Sequence, residues 1–485
     1  MDASNQARPL LIGRAREQEE LQHALDTAEP QLIAVYGRRR VGKTHLVRTF
    51  FGSRIMFELV GTARTSSSQQ LKNFSLALYS RMGYAIGVPA SWSDAFQLLQ
   101  QYLESKLAAG DKQVVFLDEL PWLASRRSGF LEAFAYFWNS WGTRQNNLIV
   151  VICGSAASWM IRKVVQDKGG LHNRVTLRLL VLPFTLKEAE AFLARKAPGM
   201  NRRLILELYM ALGGIPYYLG YVRAGRSAAQ NIQAIVFDKA APLAEEFASL
   251  YASLFDDHEK HVAVIRALKE RKSGLSGPEI TARTRIAKGG GLTRTLEELE
   301  LAGFVRRMPS FTRHKRGGNY QLTDPFTLFH LTWVEGHDRP LDADRWVALH
   351  STPAWHAWSG YAFEMTCLQH VRQIKQSLGI AGISSESTSW RHDSTGPHDS
   401  GAQIDLLIDR RDQVINLCEI KFTNEPFTVS AGYAKELLNK QSVFRKKTRT
   451  RKAILITLIS AQGLQANSHS QGLISNTVTA DALFS

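Results

Sequence analysis

Apolar runs of strand length alternate with helical spacings along most of this chain, an order that predicts an α/β architecture. The stretch "QLIAVYGRRRVGKTHLVRTFF" begins apolar, turns at Gly37 and continues at helical spacing through Leu46, Val47 and Phe50. Further strands are predicted in "KQVVFLDELPWL", in "NLIVVICGSAASWM" and in "NRVTLRLLVLPF", the last beginning at Arg174. From about 185 to 235 the pattern turns helical and breaks at Gly213-Gly214-Ile215-Pro216, where glycine frees the backbone and proline cannot donate within a helix. Between 258 and 325 a helix is followed by two shorter ones and a turn-rich basic stretch ending in "NYQLTD". Beyond it "WSGYAFEMTCLQHV" repeats helically, and "GAQIDLLIDRRDQVINLCEIKF" reads as two apolar strands joined by a polar turn at Arg410 to Gln413. A helix in "LLNKQSVFRKKT" and a strand in "AILITLIS" close the pattern.

The chain has 485 residues, enough for about three domains, and 44% hydrophobic residues to fill their cores. Sixty Lys+Arg against 44 Asp+Glu leave a formal charge of +16, which makes a polyanion the natural partner. Nucleic acid is the first candidate and an anionic membrane surface the second. The N-terminus lacks the continuous apolar core of a secretory signal, and no apolar run approaches the roughly 18 to 20 residues that span a bilayer. Cys153, Cys367 and Cys418 stand apart in apolar contexts, without the spacing of a zinc site or a disulfide framework. A soluble cytoplasmic protein without a membrane partner is therefore expected.

Candidate chemistry begins at Gly37-Arg38-Arg39-Arg40-Val41-Gly42-Lys43-Thr44-His45, where Gly37, Gly42, Lys43 and Thr44 fit G-x-x-x-x-G-K-[ST] between a strand and a helix. Glycines let backbone N–H groups wrap phosphates, and the helix N-terminus adds the positive end of its dipole. Lys43 neutralises β/γ charge and takes part in transfer, while the Thr44 hydroxyl ligates Mg2+. Asp118 closes the second strand, where a carboxylate can hold Mg2+ through water, and Glu119 follows as the residue that orients or deprotonates the attacking water. Ser155, after the third strand, is a γ-phosphate sensor or a small-residue turn. Arg174 is a finger on the γ-phosphate or the cap of a strand edge.

Two short helices, a glycine turn and a β-hairpin, in the order found between 258 and 325, make a winged helix-turn-helix. Ser276 and Glu279 fit a capping box that starts a helix after Gly277. No acidic residue lies between Phe304 and Thr323, whereas Arg306, Arg307, Arg313, Lys315 and Arg316 are positive, which suits a wing lying on phosphates. Arg283, Arg285, Lys288 and Arg294 are the candidate backbone contacts; the alternatives are a packing module and a merely solvated charge run.

In the C-terminal hairpin Asp405 sits within the first strand and Glu419 and Lys421 within the second. Side chains at i and i+2 share a face of a strand, so Glu419 and Lys421 project together, and the hairpin brings Asp405 to the same edge. Carboxylates a few ångströms apart repel unless a divalent cation lies between them, which makes Asp405 and Glu419 metal ligands and Lys421 an aid to the attacking water or the scissile phosphate. The stretch "KQSVFRKKTRTRK", 440 to 452, carries seven Lys/Arg and no acid, a basic track for a DNA backbone or a solvated helix.

Two resemblances follow from these residues. "LLIGRAREQEEL", "YGRRRVGKT", "FLDELPWL", "CGS", "NRVT" and "GGIPYYL" together resemble the archaeal-type ATPases of the STAND branch of AAA+-related P-loop proteins. That family implies a P-loop NTPase parallel sheet with a helical lid, Gly13, Arg14 and Glu17 near the nucleotide base, and Gly214 and Pro216 in the lid. Gly13 and Arg14 also read as plain helix-start residues. The spacing D-x13-E-x-K resembles the PD-(D/E)XK core of restriction-endonuclease-like enzymes, which implies a further carboxylate, Glu364, on the preceding helix. Arg391 and the polar stretch 392 to 401 would then form a loop before the hairpin.

The expected organisation is a P-loop ATPase domain with helical lid over 8–235, a winged helix-turn-helix over 255–335 and a nuclease-like α/β domain over 350–485. The expected catalytic residues are Lys43, Glu119, Glu364, Asp405, Glu419 and Lys421. ATP and Mg2+ are the expected cofactors, with Mg2+ or Mn2+ at the C-terminal site, and DNA, a nucleotide-dependent oligomer or a protein is the expected partner. The class favours defence against, or processing of, foreign DNA. The competing reading keeps the ATPase switch and lets the C-terminal domain bind DNA or a protein without cutting.

Overall fold

Strand-length apolar runs with both faces covered should pair in parallel, and the first unit of the computed structural model, 1–182, does this. The structure describes residues 11–485 apart from 108–109, 126, 156, 166–168, 256, 288, 312, 337–344, 351, 395 and 397–398, and only the backbone of 157, 310, 313–317 and 345. Helix α1 (Ala15–Asp26) precedes β1 (Gln31–Tyr36), which leads into α2 (Lys43–Phe51). With β2 (Ile55–Val60), β3 (Gln113–Asp118), β4 (Leu148–Gly154) and β5 (Leu177–Leu180), β1 forms a parallel sheet of order β2-β3-β4-β1-β5. Every residue of β4 is buried, as befits a strand between β1 and β3. Register aligns Tyr36 with Gly154 and Leu117 with Ile152, so the turn after β1, Asp118 and Ser155 share the carboxyl edge of the sheet. The strand expected from Arg174 starts at Leu177 instead. Thr176 spends its backbone N–H and its hydroxyl on Leu32 O, at 2.9 and 3.1 Å, which anchors the chain before pairing begins.

The second unit, 183–485, opens with helices α3 (Leu186–Lys196) and α4 (Arg202–Leu212). Thr185 and Glu188 close a capping box at the start of α3. The Gly213-Gly214 break is a place of close backbone approach: Phe184 N donates to Gly214 O at 2.6 Å, and a Cβ on Gly214 would stand 1.9 Å from Phe184 O. Helix α5 (His258–Lys269) is followed by β6 (Leu275–Ser276), α6 (Gly277–Thr284), α7 (Gly290–Leu301) and the strands β7 (Val305–Ser310) and β8 (Arg313–Leu322). These strands form an antiparallel sheet of order β6-β8-β7. The expected capping box is present, with the Ser276 N–H and hydroxyl both donating to Glu279 Oε2, at 2.8 and 2.7 Å.

The last segment carries α8 (Pro353–Gln369), β9 (Ser385–His392), β10 (Ala402–Arg410), β11 (Val414–Lys421), α9 (Ala431–Thr448), β12 (Ala453–Ser460) and β13 (Ile474–Thr479). The sheet order is β13-β12-β11-β10-β9, antiparallel from β9 to β11 and parallel from β11 to β13. Helix α8 packs on β11 and α9 on β10. The β9–β10 register slips between Ile404 and Leu407, so Asp405 sits at an irregularity that re-aims its side chain.

His370, at the end of α8, joins this segment to α3. Its Nε2 accepts the Leu186 N–H at 3.0 Å, and its Nδ1 lies 2.8 Å from Thr366 O, which fixes the neutral ring with the proton on Nδ1. Burial pushes its pKa from 6.5 down to about 4. The unfolded chain binds a proton that the folded chain refuses, so the contribution is complete above pH 6.5 and is lost as pH falls through about 4. His370→Gln removes this titration. In urea unfolding from about pH 7 to pH 4, the stability gap between wild type and variant should shrink by up to about 3 kcal/mol. A gap that stays constant would contradict the assignment.

Candidate functional site

The first site is built by the turn between β1 and α2. Gly37 has φ +147°, and a Cβ there would stand 2.2 Å from Val181 O, so the turn fits against the end of β5 only without a side chain. Arg40 and Gly42 follow with φ 69° and 93°, left-handed positions of the kind from which backbone N–H groups can converge on an anion. Lys43 is buried and donates to Gly37 O and Arg38 O, at 3.0 and 2.9 Å, so its ammonium lies within the loop's own curve. Thr44 Oγ1 donates to Asp118 Oδ2 at 2.7 Å, bringing together the two groups expected to share Mg2+. Asp118 Oδ1 accepts the Glu119 N–H at 2.9 Å, and Glu119 itself takes a left-handed φ of 48°. Its Oε2 accepts the Ser155 hydroxyl at 2.9 Å, so Ser155 is fastened to the carboxylate expected to act on water.

Among the neighbouring residues, Arg38 and Val41 are buried, Arg40 is half-buried, and Arg39 and His45 are exposed. Arg14 braces the loop from behind, donating to Val41 O at 2.7 Å and to Leu182 O at 2.6 Å. Arg174 is exposed on a turn before β5. A turn of left-handed residues at a helix start, a lysine inside it and a hydroxyl–carboxylate pair are groups that suit a nucleotide triphosphate with Mg2+.

The second site lies on β10 and β11 with α8 and α9. Glu419 is 2% exposed and gathers positive partners. Lys421 Nζ is 3.0 Å from Oε1, while Lys440 Nζ reaches both carboxylate oxygens, at 3.1 and 2.9 Å. The Tyr433 hydroxyl donates to Oε1 at 2.6 Å. Against burial, Lys421, Lys440 and Tyr433 hold the Glu419 carboxyl below its usual range. Asp405 Oδ2 accepts only the Ile420 N–H, at 3.1 Å, among the described residues. Glu364 is 7% exposed and makes no hydrogen bond among them. Burial first, and then its carboxylate neighbour, pushes each of the pair upward: Asp405 raises Glu364, and Glu419 raises Asp405. Shielded carboxylate oxygens that repel one another are donors of the kind a hard divalent cation takes. Among the described residues no three His, Cys, Asp or Glu side chains form a group that could hold a metal ion, so Glu364, Asp405 and Glu419 do not make an assembled ligand shell in this structure.

The end of β11 is fixed from α4. The Arg203 guanidinium lies 4.0 Å from the Phe422 ring centre and donates to Thr423 O at 3.1 Å and to the Asn424 side chain at 2.7 Å. Phe422 in turn packs on Trp355 and Phe363 of α8, next to Glu364.

Residues 11–222 match the family described as an ATPase domain predominantly from Archaea. That span contains the whole first site. The chain is also 21% identical over 416 residues, 85% of its length and 88% of the relative, to the uncharacterized protein MJECL04 of Methanocaldococcus jannaschii. Among solved structures, the Walker-type ATPase PABY2304 of Pyrococcus abyssi is similar with 18% identity and a TM-score of 0.47, over 66% of this chain and 96% of that one. The Aeropyrum pernix ORC2 protein follows with 17% identity and a TM-score of 0.42, over 68% and 95%. Of the described residues, no helix is long and apolar enough to cross a membrane.

Several basic residues are engaged within the chain, some of them in pairs at the surface. Lys440, expected on a DNA track, is directed into the carboxylate site, while Lys447 pairs with Asp399 at 2.7 Å and Lys452 with Asp409. Arg306 is turned inward and donates to Leu368 O at 2.8 Å. Arg283 and Arg294 pair with Glu270 and Glu298, at 3.3 and 2.9 Å. Lys288 and the side chains of Arg313, Lys315 and Arg316 lie outside what the structure describes. The contacts of Tyr433 and Lys440 with Glu419 were not foreseen from the sequence, although their spacing on a helix after the E-x-K strand puts them on one helical face.

The two loop glycines differ in a testable way. A Cβ at Gly42 meets nothing within 4 Å, so Gly42→Ala costs only the left-handed backbone, about 1 kcal/mol. Gly37→Ala adds a clash with Val181 O and should cost at least about 2 kcal/mol. Equal shifts in thermal unfolding would show that the β5 contact does not constrain the loop.

Proposed function

We propose that this chain is an ATP-driven, DNA-directed switch whose C-terminal segment cleaves phosphodiester bonds with a divalent metal. The observation that carries the cleavage reading is Glu364, a buried carboxylate without a hydrogen bond among the described residues, whose pKa Asp405 helps to raise, near the Glu419–Lys421 pair. In this reading 8–235 is an ATPase with a helical lid, 255–335 a winged helix-turn-helix and 350–485 a restriction-endonuclease-like domain. The helix order, the capping box and the β6-β8-β7 sheet support the second assignment. The mixed sheet with Asp405 and Glu419 on adjacent strands supports the third.

At the nucleotide site the 37–45 loop and Lys43 hold the phosphates, Thr44 and Asp118 hold Mg2+, and Glu119 accepts the proton of the attacking water. The Ser155 hydroxyl orients the Glu119 carboxylate. At the second site Asp405, Glu419 and Glu364 would hold Mg2+ or Mn2+, which supplies Lewis-acid polarisation of the phosphoryl oxygen. Lys421, the more exposed of the two lysines at 32% against 12%, neutralises charge building on the phosphate. Exposed Arg445, Lys446, Arg449 and Arg451 on and after α9 provide backbone contacts to DNA.

A second reading, binding without cutting, is favoured by the grip of Lys440 on both oxygens of Glu419. Incubation of the full chain with supercoiled DNA and Mg2+ or Mn2+, with and without ATP, separates the two. Wild type should nick the DNA, while Glu419→Ala and Lys421→Ala should lose at least about 100-fold in rate. Equal residual nicking by all three would remove the cleavage reading.

For the ATPase, Lys43→Ala should weaken nucleotide binding at least about tenfold. Glu119→Gln should still bind ATP but turn over about 100-fold more slowly. Unchanged hydrolysis by Glu119→Gln would reassign the base. Replacing Arg445, Lys446, Arg449 and Arg451 with Ala should flatten the salt dependence of DNA binding, and an unchanged slope would move the contact elsewhere.

A further inference from the structure

We propose that the 258–323 segment clamps strand β9 and thereby fixes the bulge that carries Asp405, with Gln321 and Thr388 as the positioning residues. The inference deepens the proposed function, and it rests on the cleavage reading for its effect on chemistry but not for its geometry.

The pairing of β9 with β10 leaves an extra residue on β10. Ile404 lies opposite Trp390 and Leu407 opposite Thr388, so Asp405 and Leu406 together face Ser389 alone. Two residues against one make a β-bulge, which bends its strand and redirects the side chains on it. From Leu406 onward the pairing of β10 with β11 is regular, so the irregularity belongs to the β9 side.

The residues of β9 opposite the bulge are the ones that the 258–323 segment holds. Gln321 Nε2, on β8, donates to Ser389 Oγ at 3.1 Å and to Lys272 O at 3.2 Å. The Thr388 hydroxyl donates to Pro309 O of β7 at 2.7 Å. Arg391, two positions beyond Ser389, donates to Ser273 Oγ at 3.0 Å. Gln321, Thr388 and Ser273 are all buried, where a lost hydrogen-bond partner is not replaced by water. Strand β9 is the edge of its sheet, and Pro309 has no N–H with which to extend it, so this contact runs through the Thr388 side chain.

Apolar contacts close the other side. Phe311, in the turn between β7 and β8, packs on Phe444 of α9 with ring centres 5.0 Å apart, and Phe444 meets Trp390 of β9 at 5.1 Å. Both Phe311 and Trp390 pack on the cluster that contains Ile404 and Leu407, the two residues flanking the bulge. Arg306 ties β7 to Leu368 O, one turn beyond Glu364 on α8. The bulge is thus enclosed by β7 and β8 as well as by its own sheet, and a displacement of the β7–β8 hairpin reaches Asp405 directly.

The test is amide hydrogen exchange in the full chain, comparing the 402–410 segment of β10 with the 453–460 segment of β12. Gln321→Met together with Thr388→Val removes the two holds opposite the bulge, and exchange at 402–410 should quicken at least about tenfold while 453–460 is unchanged. Thr388→Ser, which keeps the hydroxyl, should exchange as the wild type does. Unchanged exchange at 402–410 in the double variant would overturn the proposal, as would an equal acceleration at 453–460, the mark of a general loss of stability. If the double variant does not fold, Gln321→Met alone decides by the same comparison. In nicking of supercoiled DNA with Mg2+ the double variant should lose at least about tenfold in rate, and an unaltered rate beside quickened exchange would overturn control of the centre by the clamp. Absence of nicking by the wild type would remove the cleavage reading instead, and the exchange comparison would still decide the clamp.

Discussion

Negative charge in a place shielded from water has to be met by positive charge, and both candidate sites of this chain are organised by that requirement. In the first unit the charge is expected from phosphates. The answer is a turn of left-handed residues with Lys43 inside it, beside the Thr44 hydroxyl that donates to Asp118. In the second the charge belongs to the protein itself. Glu364, Asp405 and Glu419 act on one another electrostatically, and of the three only Glu419 makes direct ion pairs with lysines among the described residues.

That unequal pairing shapes the electrostatics of the C-terminal carboxylates. Two lysines and a tyrosine keep Glu419 ionised and oriented, whereas Glu364 and Asp405 are pushed toward the protonated state by burial and by their carboxylate neighbours. Backbone geometry contributes as well. The irregular pairing of β9 with β10 falls at Asp405, and the Ile420 N–H from β11 takes one of its oxygens. Arg203, stacked on Phe422, steadies the strand end that carries Lys421. The site is thus held from the sheet and from helices α4, α8 and α9 together.

Much of this was legible from local pattern. The G-x-x-x-x-G-K-[ST] turn, the apolar strand ending in Asp118-Glu119 and the Ser276–Glu279 capping box each depend on neighbours a few residues apart, so spacing alone identifies them. The hairpin that carries Asp405, Glu419 and Lys421 was readable for the same reason, since alternation along two strands fixes which residues share an edge. The strand expected at Arg174 was less secure, because its start at Leu177 depends on Thr176 spending its donors on Leu32 across 144 residues.

By itself, then, the sequence determined the α/β order, the phosphate-binding turn and the residues of the C-terminal hairpin, all products of short-range periodicity. Tertiary structure alone decided which charges meet. A lysine in a basic run is locally indistinguishable from its neighbours, yet Lys440 is buried against Glu419 while Arg445 and Lys446 remain exposed. Pairing energies of this kind depend on distance and on shielding from water, and both are set by how helix α9 lies on the sheet rather than by its order of residues.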